Sequence, residues 1–393
     1  MLVGVPKETF PGERRVALVP GVLASLKKAG MDVVVESGAG LSAGIADDAY
    51  SEKGAQIGDR AAAFDADVVT LVRALGANEA EGSADLQSAR GGQAWICNCE
   101  PLSAPAEIQK AADKKLSIFS LELMPRITRA QSMDVLSSMA MLAGYKAILL
   151  AADKLPKMFP MMITAAGTIA ASRVFVVGAG VAGLQAIATA KRLGAVVEAF
   201  DVRPAVKEQV ESLGARFLEI ELDTASAQGE GGYAGEQSEE FLAKQREMMH
   251  RAVAGSDVVI TTAAVPGKKA PLLVTREMVE GMKRGSVVVD LAAERGGNCE
   301  VTREGEEVDH GGVTILGPVN LPSTLPADAS QLIAKNIATF LLHLVEDGKL
   351  KLDTSDEITC DTLVAHEGEV VGARIREILG LAALEPAADA GTA

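Results

Sequence analysis

Apolar residues along this chain fall into two patterns: short continuous runs, and longer stretches in which they recur every three to four positions. The runs Leu2–Val5, Val33–Glu36, Asp67–Val72, Ala94–Cys97 and Leu116–Leu121 predict strands. Between them, Pro20–Ala29, stopped by Gly30, and Ala106–Lys115 have helical periodicity. Strands buried on both faces are apolar throughout rather than alternating, so this β/α succession predicts a parallel sheet covered by helices on two sides. The first third contains no complete G-x-G-x-x-G.

A second β/α series starts after Ala171. Val174–Val177 is a strand, Gly183–Leu193 a helix closed by Gly194, and Val196–Phe200 a strand. Helix Ala205–Leu213 leads through Gly214 to strand Arg216–Ile220, and strands Asp257–Thr261 and Ser286–Leu291 enclose helix Arg276–Met282. Two long apolar helices, about Asp134–Ala152 and Ala329–Val345, flank the series and read as struts that leave the first domain and return to it. The expected fold is therefore α/β, with two Rossmann-like doubly wound parallel-sheet domains, the second inserted into the first. The expected boundaries are 1–133 with 318–393 for the N-terminal domain, and 134–317 for the second. From Lys349 the tail reads as a short hairpin and a helix, with a small, polar end, PAADAGTA. Asp223–Ser238, DTASAQGEGGYAGEQS, has four glycines and a single aromatic, Tyr233, and reads either as a lid or as a disordered insertion.

Charge narrows the choice of partner. Lys plus Arg number 38 against 53 Asp plus Glu, a net charge of −15, which disfavours nucleic acid and anionic lipid. Four cysteines are too few for a disulfide scaffold at this size, and no His cluster joins them, so buried reduced thiols are expected and a metal site is not. The N-terminus lacks a signal-peptide layout. The best membrane-span candidate, Ala147–Ala171, is broken by Asp153, Lys154, Lys157 and two prolines, so a soluble chain is expected.

The most specific chemistry lies at Gly178-Ala-Gly180-Val-Ala-Gly183, preceded by the strand RVFVV and opening a helix. In that setting Gly178 permits the tight turn, Gly180 lets a pyrophosphate approach the backbone, and Gly183 allows close helix–strand packing. The helix start offers free N–H groups and a positive dipole end to phosphates. Asp201 ends the next strand, 18 residues beyond Gly183. A carboxylate there accepts from ribose hydroxyls and repels a 2′-phosphate, favouring NAD(H) over NADP(H), although Arg203 offers a guanidinium nearby. The alternative is a glycine-rich structural turn.

The four histidines are His250, His310, His343 and His366, so the first 249 residues hold no imidazole. Oxidising an alcohol or amine moves a proton as well as a hydride, usually through His or Lys. Their scarcity points to chemistry that needs no base. Met124–Asp134, MPRITRAQSMD, is a dense polar cluster before an apolar helix. Asp134 is placed to cap that helix and pair with Arg126, Ser137 follows on the first turn, and the Gln131 amide matches a carboxamide. A capped surface turn is the plain alternative.

RITRAQSMDVLSSMAMLAGYKA, GAGVAGLQAIATAKRLGAVVEAFDVRP, VKEQVESLGARFLE, the GGYA loop, TTAAVPGKKAP and GSVVVDLAAERGGNCE together resemble the NAD(H)-binding component of proton-translocating nicotinamide nucleotide transhydrogenases. The opening VGVPKETFPGERRVALVP is shared with alanine dehydrogenases, and the similarity runs to about residue 345. The resemblance implies a soluble alpha-1 type of subunit, cytoplasmic and peripheral to the inner membrane. It would transfer hydride between NADH and NADP+ on a partner NADP(H)-binding subunit, coupled to proton passage through a membrane-spanning subunit, and it would form a homodimer.

By that resemblance Arg126, Gln131 and Asp134, with Ser137 beside them, are the catalytic residues that hold the nicotinamide and its ribose, Gln131 reaching toward the partner's nucleotide, and Ile127, Thr128 and Arg129 bind the cofactor. Gly178, Gly180, Val181, Gly183, Asp201, Val202 and Arg203 hold the pyrophosphate and adenosine. Gly232, Tyr233, Gln245 and Ala264 add nucleotide contacts, with Ala264 standing where a bulkier aliphatic residue is expected. Two other readings remain. Alanine dehydrogenase chemistry needs a Lys and a His in the first domain, where this chain has Leu71-Val72-Arg73 and Cys97-Asn98-Cys99, although Lys7 and Arg15 are present. A NAD-sensing module without turnover needs no base, but it has no use for an exposed nicotinamide.

Overall fold

The computed structural model describes residues 1–219, 239–264 and 267–384. The segment 223–238 with Gly232 and Tyr233, and the terminal PAADAGTA, lie outside the described residues. The chain divides into two compact units, residues 1–139 with 323–393, and residues 140–322.

The first unit opens with β1 (Leu2–Val5), α1 (Pro20–Lys28), β2 (Asp32–Glu36), α2 (Asp47–Ser51), β3 (Gln56–Gly58), α3 (Arg60–Phe64) and β4 (Val68–Arg73). It continues with α4 (Gly82–Ser88), β5 (Ala94–Asn98), α5 (Pro105–Asp113) and β6 (Ser117–Ser120). The chain leaves this unit within α6 (Val135–Lys154). The second unit then has a hairpin, β7 (Met162–Thr164) and β8 (Gly167–Ile169), followed by β9 (Arg173–Val177), α7 (Val181–Arg192), β10 (Val196–Phe200), α8 (Lys207–Ser212) and β11 (Arg216–Phe217). After α9 (Glu239–Ala254) come β12 (Val258–Thr261), α10 (Arg276–Glu280), β13 (Val287–Asp290), β14 (Glu307–His310) and β15 (Val313–Leu316). Back in the first unit lie α11 (Pro326–Leu344), β16 (Val345–Glu346), β17 (Lys349–Leu350), α12 (Glu357–Thr362), β18 (Leu363–His366), β19 (Glu369–Val370) and α13 (Ala373–Leu379).

Both large sheets are doubly wound. The first runs β19-β18-β6-β5-β4-β1-β2-β3 and the second β11-β10-β9-β12-β13-β15-β14. Within each, six parallel strands follow the order in which the winding reverses beside the first strand, the arrangement whose carboxyl-end crevice accepts ligands. In the second sheet Val176 sits between Ala199 and Ile260, which fixes the register around the reversal.

The continuous apolar runs have the physical cause expected of them. In β4, Val68 and Val72 face one core while Val69 and Leu71 face another. In β9, Val174 and Val176 face one layer and Phe175 and Val177 the opposite layer. Nearly every position of such a strand is buried on one face or the other, so a polar residue there needs an internal partner, as Thr70 of β4 has in the Gly4 carbonyl at 3.1 Å.

Several elements were not evident in the residue pattern. The tail does contain the hairpin β16–β17 and a helix, but β18 also pairs antiparallel with β6, and β19 extends the first sheet. Strand β3 and the outer pair β14–β15 are short and partly polar, so they carry little hydrophobic signal. The expected strand Arg216–Ile220 is observed only as β11, with residue 220 outside the described residues. Cys97, Cys99 and Cys299 are buried thiols, whereas Cys360 is exposed. Among the described residues one helix, α6, is long and apolar enough to cross a membrane by length and composition. Val135 at its start packs in the core of the first unit, and Ala147, Ile148 and Ala151 pack in the core of the second.

Candidate functional site

In the second unit β9 turns into α7 through Gly178-Ala179-Gly180, beside the reversal between β9 and β12. Gly178 has φ +95°, and a Cβ on it would stand 2.5 Å from Thr262 Oγ1. A Cβ on Gly183 would stand 1.9 Å from the Gly178 carbonyl oxygen. These two glycines are therefore demanded by packing within the turn. Gly180 is different: its nearest neighbour would be Arg203 Nη2 at 3.9 Å, so its missing side chain leaves open space above the helix start. Val181, the first residue of α7, is 41% exposed at the same place. An open backbone cradle at the N-terminus of a twelve-residue helix suits a phosphate group. A Cβ on Gly144 of α6 would stand 2.0 Å from the Ala182 carbonyl oxygen, so α6 crosses close to the start of α7.

Asp201, just past β10, ties this turn to the adjoining strand. Its Oδ2 accepts from Ala179 N at 2.8 Å and from Arg203 Nη2 at 2.7 Å, while Oδ1 accepts from Arg203 N and Nε, both at 2.9 Å. Burial pushes the Asp201 carboxyl up, but the Arg203 guanidinium and the two N–H groups outweigh it and hold the group below its ordinary value. Val202 between them is half-buried against the outer core layer. Gln245 on α9 is buried, and Ala264, beyond β12, is exposed.

Two residues that sequence reading did not single out shape the segment after β12. Asp290, fully buried at the end of β13, accepts from Thr261 Oγ1 and Ala292 N through one oxygen. Its other oxygen accepts from Asn298 N, Cys299 N and Thr302 Oγ1. Asn298 accepts from Ala263 N and donates to Ala263 O and Pro271 O. A buried carboxylate so fully engaged acts as a rigid hub, because its donors come from β12 and from the segment 292–302 and are held together through one side chain. The available signal was an Asp ending an apolar strand, VVVD, in the same position that Asp201 holds in EAFD.

The polar loop is in the first unit. Thr128–Met133 forms a 3-10 turn with Ala130 and Met133 buried, while Arg126, Thr128, Arg129, Gln131 and Ser132 are exposed and Ile127 is half-buried. Asp134 caps α6 as expected: its carboxylate accepts from Ser137 N at 2.9 Å and from Ser137 Oγ at 2.5 Å. Arg129 pairs with Asp356 at 2.7 Å.

At the carboxyl ends of β1 and β4 lies a second polar group. Glu13, its side chain fully buried, pairs with Arg15 at 2.6 Å and Arg73 at 3.5 Å, and Arg73 stacks over the Phe10 ring. Glu8 accepts from Val72 N at 2.6 Å and Arg73 N at 3.1 Å, and burial with the nearby Glu13 pushes its carboxyl up to about 8. Asn98 donates to Val72 O at 2.7 Å. The positions weighed for a catalytic Lys and His are thus filled by Arg73, held by an ion pair and a ring, and by an amide.

Two doubly wound units, one bearing a glycine-cornered turn closed by an aspartate, place the chain among two-domain α/β proteins of the Rossmann type. The family profile "Alanine dehydrogenase/PNT, N-terminal domain" matches residues 4–143, and "Alanine dehydrogenase/PNT, C-terminal domain" matches residues 147–373. The chain belongs to this alanine dehydrogenase/PNT family. It is 47% identical over 376 residues to the first part of NAD(P) transhydrogenase subunit alpha from Rhodospirillum rubrum, covering 94% of this chain and 98% of that one. The crystal structure of transhydrogenase from Sinorhizobium meliloti matches with TM-score 0.85 and 47% identity, over 94% of this chain and 100% of that one. An L-alanine dehydrogenase structure shares the fold with TM-score 0.81 at 24% identity, over 97% and 99% of the two chains.

Proposed function

We propose that this chain is the NAD(H)-binding component of a proton-translocating transhydrogenase, exchanging hydride with NADP(H) held on a partner subunit. The observation that carries the reading is the cradle Gly178–Gly183, open at Gly180 and tied to Asp201, which fits a dinucleotide pyrophosphate with an unphosphorylated ribose beside it. A bound nicotinamide supplies the hydride-carrying carbon. The chain's own residues have the task of binding, orienting and excluding water. In this reading Gly180 and Val181 receive the phosphates, and Asp201, Val202 and Arg203 hold the adenosine side. Arg126, Ile127, Thr128, Arg129, Gln131, Asp134 and Ser137 hold the nicotinamide side. Gly232, Tyr233, Gln245 and Ala264 complete the contacts on the strength of the family resemblance.

Hydride passing from carbon to carbon needs no general base, which suits a first unit with Arg73 and Asn98 where an alanine dehydrogenase reading looks for Lys and His. The identity of 47% to the transhydrogenase subunit, against 28% to the alanine dehydrogenase of Bacillus subtilis, favours the same choice. The partners are an NADP(H)-binding subunit and a membrane-spanning subunit through which proton passage is coupled, so the chain sits at the cytoplasmic face of the inner membrane. A second copy completes a homodimer. Supporting this, the hairpin β7–β8 is exposed throughout, with Ile163 75% and Ile169 44% exposed, and a two-stranded hairpin is at best marginally stable alone in water.

The test is a parallel assay on the purified chain. One arm offers NADH with pyruvate and ammonium; the other offers NADH, NADP+ and a soluble NADP(H)-binding transhydrogenase domain. Turnover only in the second arm is expected. Turnover in the first arm overturns the reading in favour of alanine dehydrogenase.

A further inference from the structure

The turn Thr128–Met133 is a short 3-10 segment, and such segments have poor internal hydrogen-bond geometry. Whatever fixes its exposed side chains must come from outside the turn, and two C-terminal elements of the same unit supply it. On α11, Asn336 donates Nδ2 to the Ser132 carbonyl at 2.8 Å. Asn336 is 5% exposed, and its Oδ1 has no hydrogen-bond partner among the described residues. A buried carbonyl left unsatisfied is costly, so packing alone favours an aliphatic residue there. The amide is best explained by what it holds.

The second grip is Asp356. Its Oδ1 caps α12, accepting from Ile358 N at 3.0 Å and Thr359 N at 3.3 Å, and faces His343 Nε2 at 3.1 Å. Its Oδ2 is left to meet Arg129 Nη2 at 2.7 Å. His343 is itself seated, stacked on Phe340 and 3.2 Å from Thr359 Oγ1. Burial pushes the Asp356 carboxyl up, but Arg129, the Thr359 N–H and His343 hold it below its ordinary value. Arg129 is 57% exposed, and an ion pair so open to water adds little stability. What it gives is direction: a carboxylate immobilised by a helix cap and an imidazole fixes the end of a long, flexible guanidinium side chain.

We propose that Asp356, backed by His343, and Asn336 form a clamp that positions Arg129 and the Thr128–Met133 turn for hydride transfer. Asp356 and Asn336 are thus positioning residues, acting through a loop more than two hundred positions earlier in the chain. The inference rests on the assignment of that loop to the nicotinamide.

The experiment uses the full chain with the soluble NADP(H)-binding domain and compares Asp356→Asn, Asn336→Leu, Arg129→Gln and the double variant of Asp356→Asn with Arg129→Gln. Asn at 356 keeps the helix cap and removes the charge, and Leu at 336 removes the amide and the unsatisfied carbonyl together. Hydride transfer is expected to fall about tenfold in Asp356→Asn, with NADH affinity changed less than about twofold and the melting temperature kept. Asn336→Leu is expected to slow transfer while melting no lower than the parent. The double variant is expected to be no slower than Arg129→Gln alone, because coupled residues do not add. Hydrogen exchange over 126–134, which needs no turnover, is expected to quicken in Asp356→Asn and Asn336→Leu. Unchanged exchange in both variants, or losses that multiply in the double variant, overturns the clamp. An unmutated chain that transfers no hydride overturns the transhydrogenase reading instead, while the exchange data still decide the clamp.

Discussion

Arg203 wraps the Asp201 carboxylate so that both oxygens are engaged, at 2.9 Å and 2.7 Å, while Ala179 N of the glycine turn adds a third tie at 2.8 Å. The acid proposed to favour an unphosphorylated ribose is thereby also a clip that ties the glycine turn to the adjoining strand. Asp201→Asn keeps one acceptor oxygen and loses the charge. It is expected to weaken NADH about tenfold and to narrow discrimination against NADPH, since repulsion of the 2′-phosphate goes with the charge. Titration of both nucleotides checks this, and an unchanged preference removes Asp201 from that role.

Two glycines of the same turn separate fold from function. Gly183→Ala puts a methyl 1.9 Å from the Gly178 carbonyl and is expected to cost about 1–3 kcal/mol of stability through overpacking. Gly180→Ala meets nothing closer than 3.9 Å and is expected to leave the melting temperature in place while nucleotide affinity falls at least about tenfold, because the methyl occupies the cradle. Thermal melts paired with NADH titrations read both. Equal affinity in Gly180→Ala and the parent would mean phosphates bind elsewhere.

In the polar loop, Arg126→Ala and Gln131→Asn are expected to slow hydride transfer by about tenfold or more, with NADH affinity nearly kept. Both side chains are exposed, so neither change has a core to disturb. Single-turnover transfer rates set against equilibrium binding make the comparison. Parallel losses would make the loop a binding element only.

Glu8 predicts a pH dependence of stability. Its carboxyl moves from 4.5 to about 8 on folding, so between those values the folded chain holds a proton that the unfolded chain has lost. The stabilising contribution is complete below the lower value and disappears as pH rises through the upper one, at no more than about 1.4 kcal/mol per pH unit. Glu8→Gln has no proton to lose and is expected to flatten the decline measured by denaturant unfolding between about pH 6 and pH 8. Identical slopes in the variant and the parent would assign the pH dependence to other groups.

For the apolar hairpin, Ile163→Asp places a charge at its most exposed large residue and is expected to shift a dimer toward monomer in sedimentation without lowering the melting temperature of the unit. A dimer that survives would move the interface to another surface.

What could be read from residues alone was local. A continuous apolar run, a glycine that needs φ +95° and the start of α7 lie within a few positions of one another, so the β9–turn–α7 unit was visible as a pattern. The same holds for Asp134 and Ser137, three positions apart, because a helix cap is a contact between near neighbours. The doubly wound class followed from strands whose apolar residues run continuously rather than alternating with polar ones.

Tertiary structure decided the contacts whose members are far apart in sequence and follow no period. Asp356 meets Arg129, and Asn336 meets Ser132, only because the returning chain packs α11 and α12 against the loop. Strand β18 joins β6 only after that return, and Glu8 becomes a raised carboxyl only because folding buries it beside Glu13. Hydrophobic periodicity records which face of an element is buried and is written in neighbouring residues. A hydrogen bond or ion pair between distant segments leaves no such record, since its partners are chosen by geometry that exists only once the chain has folded.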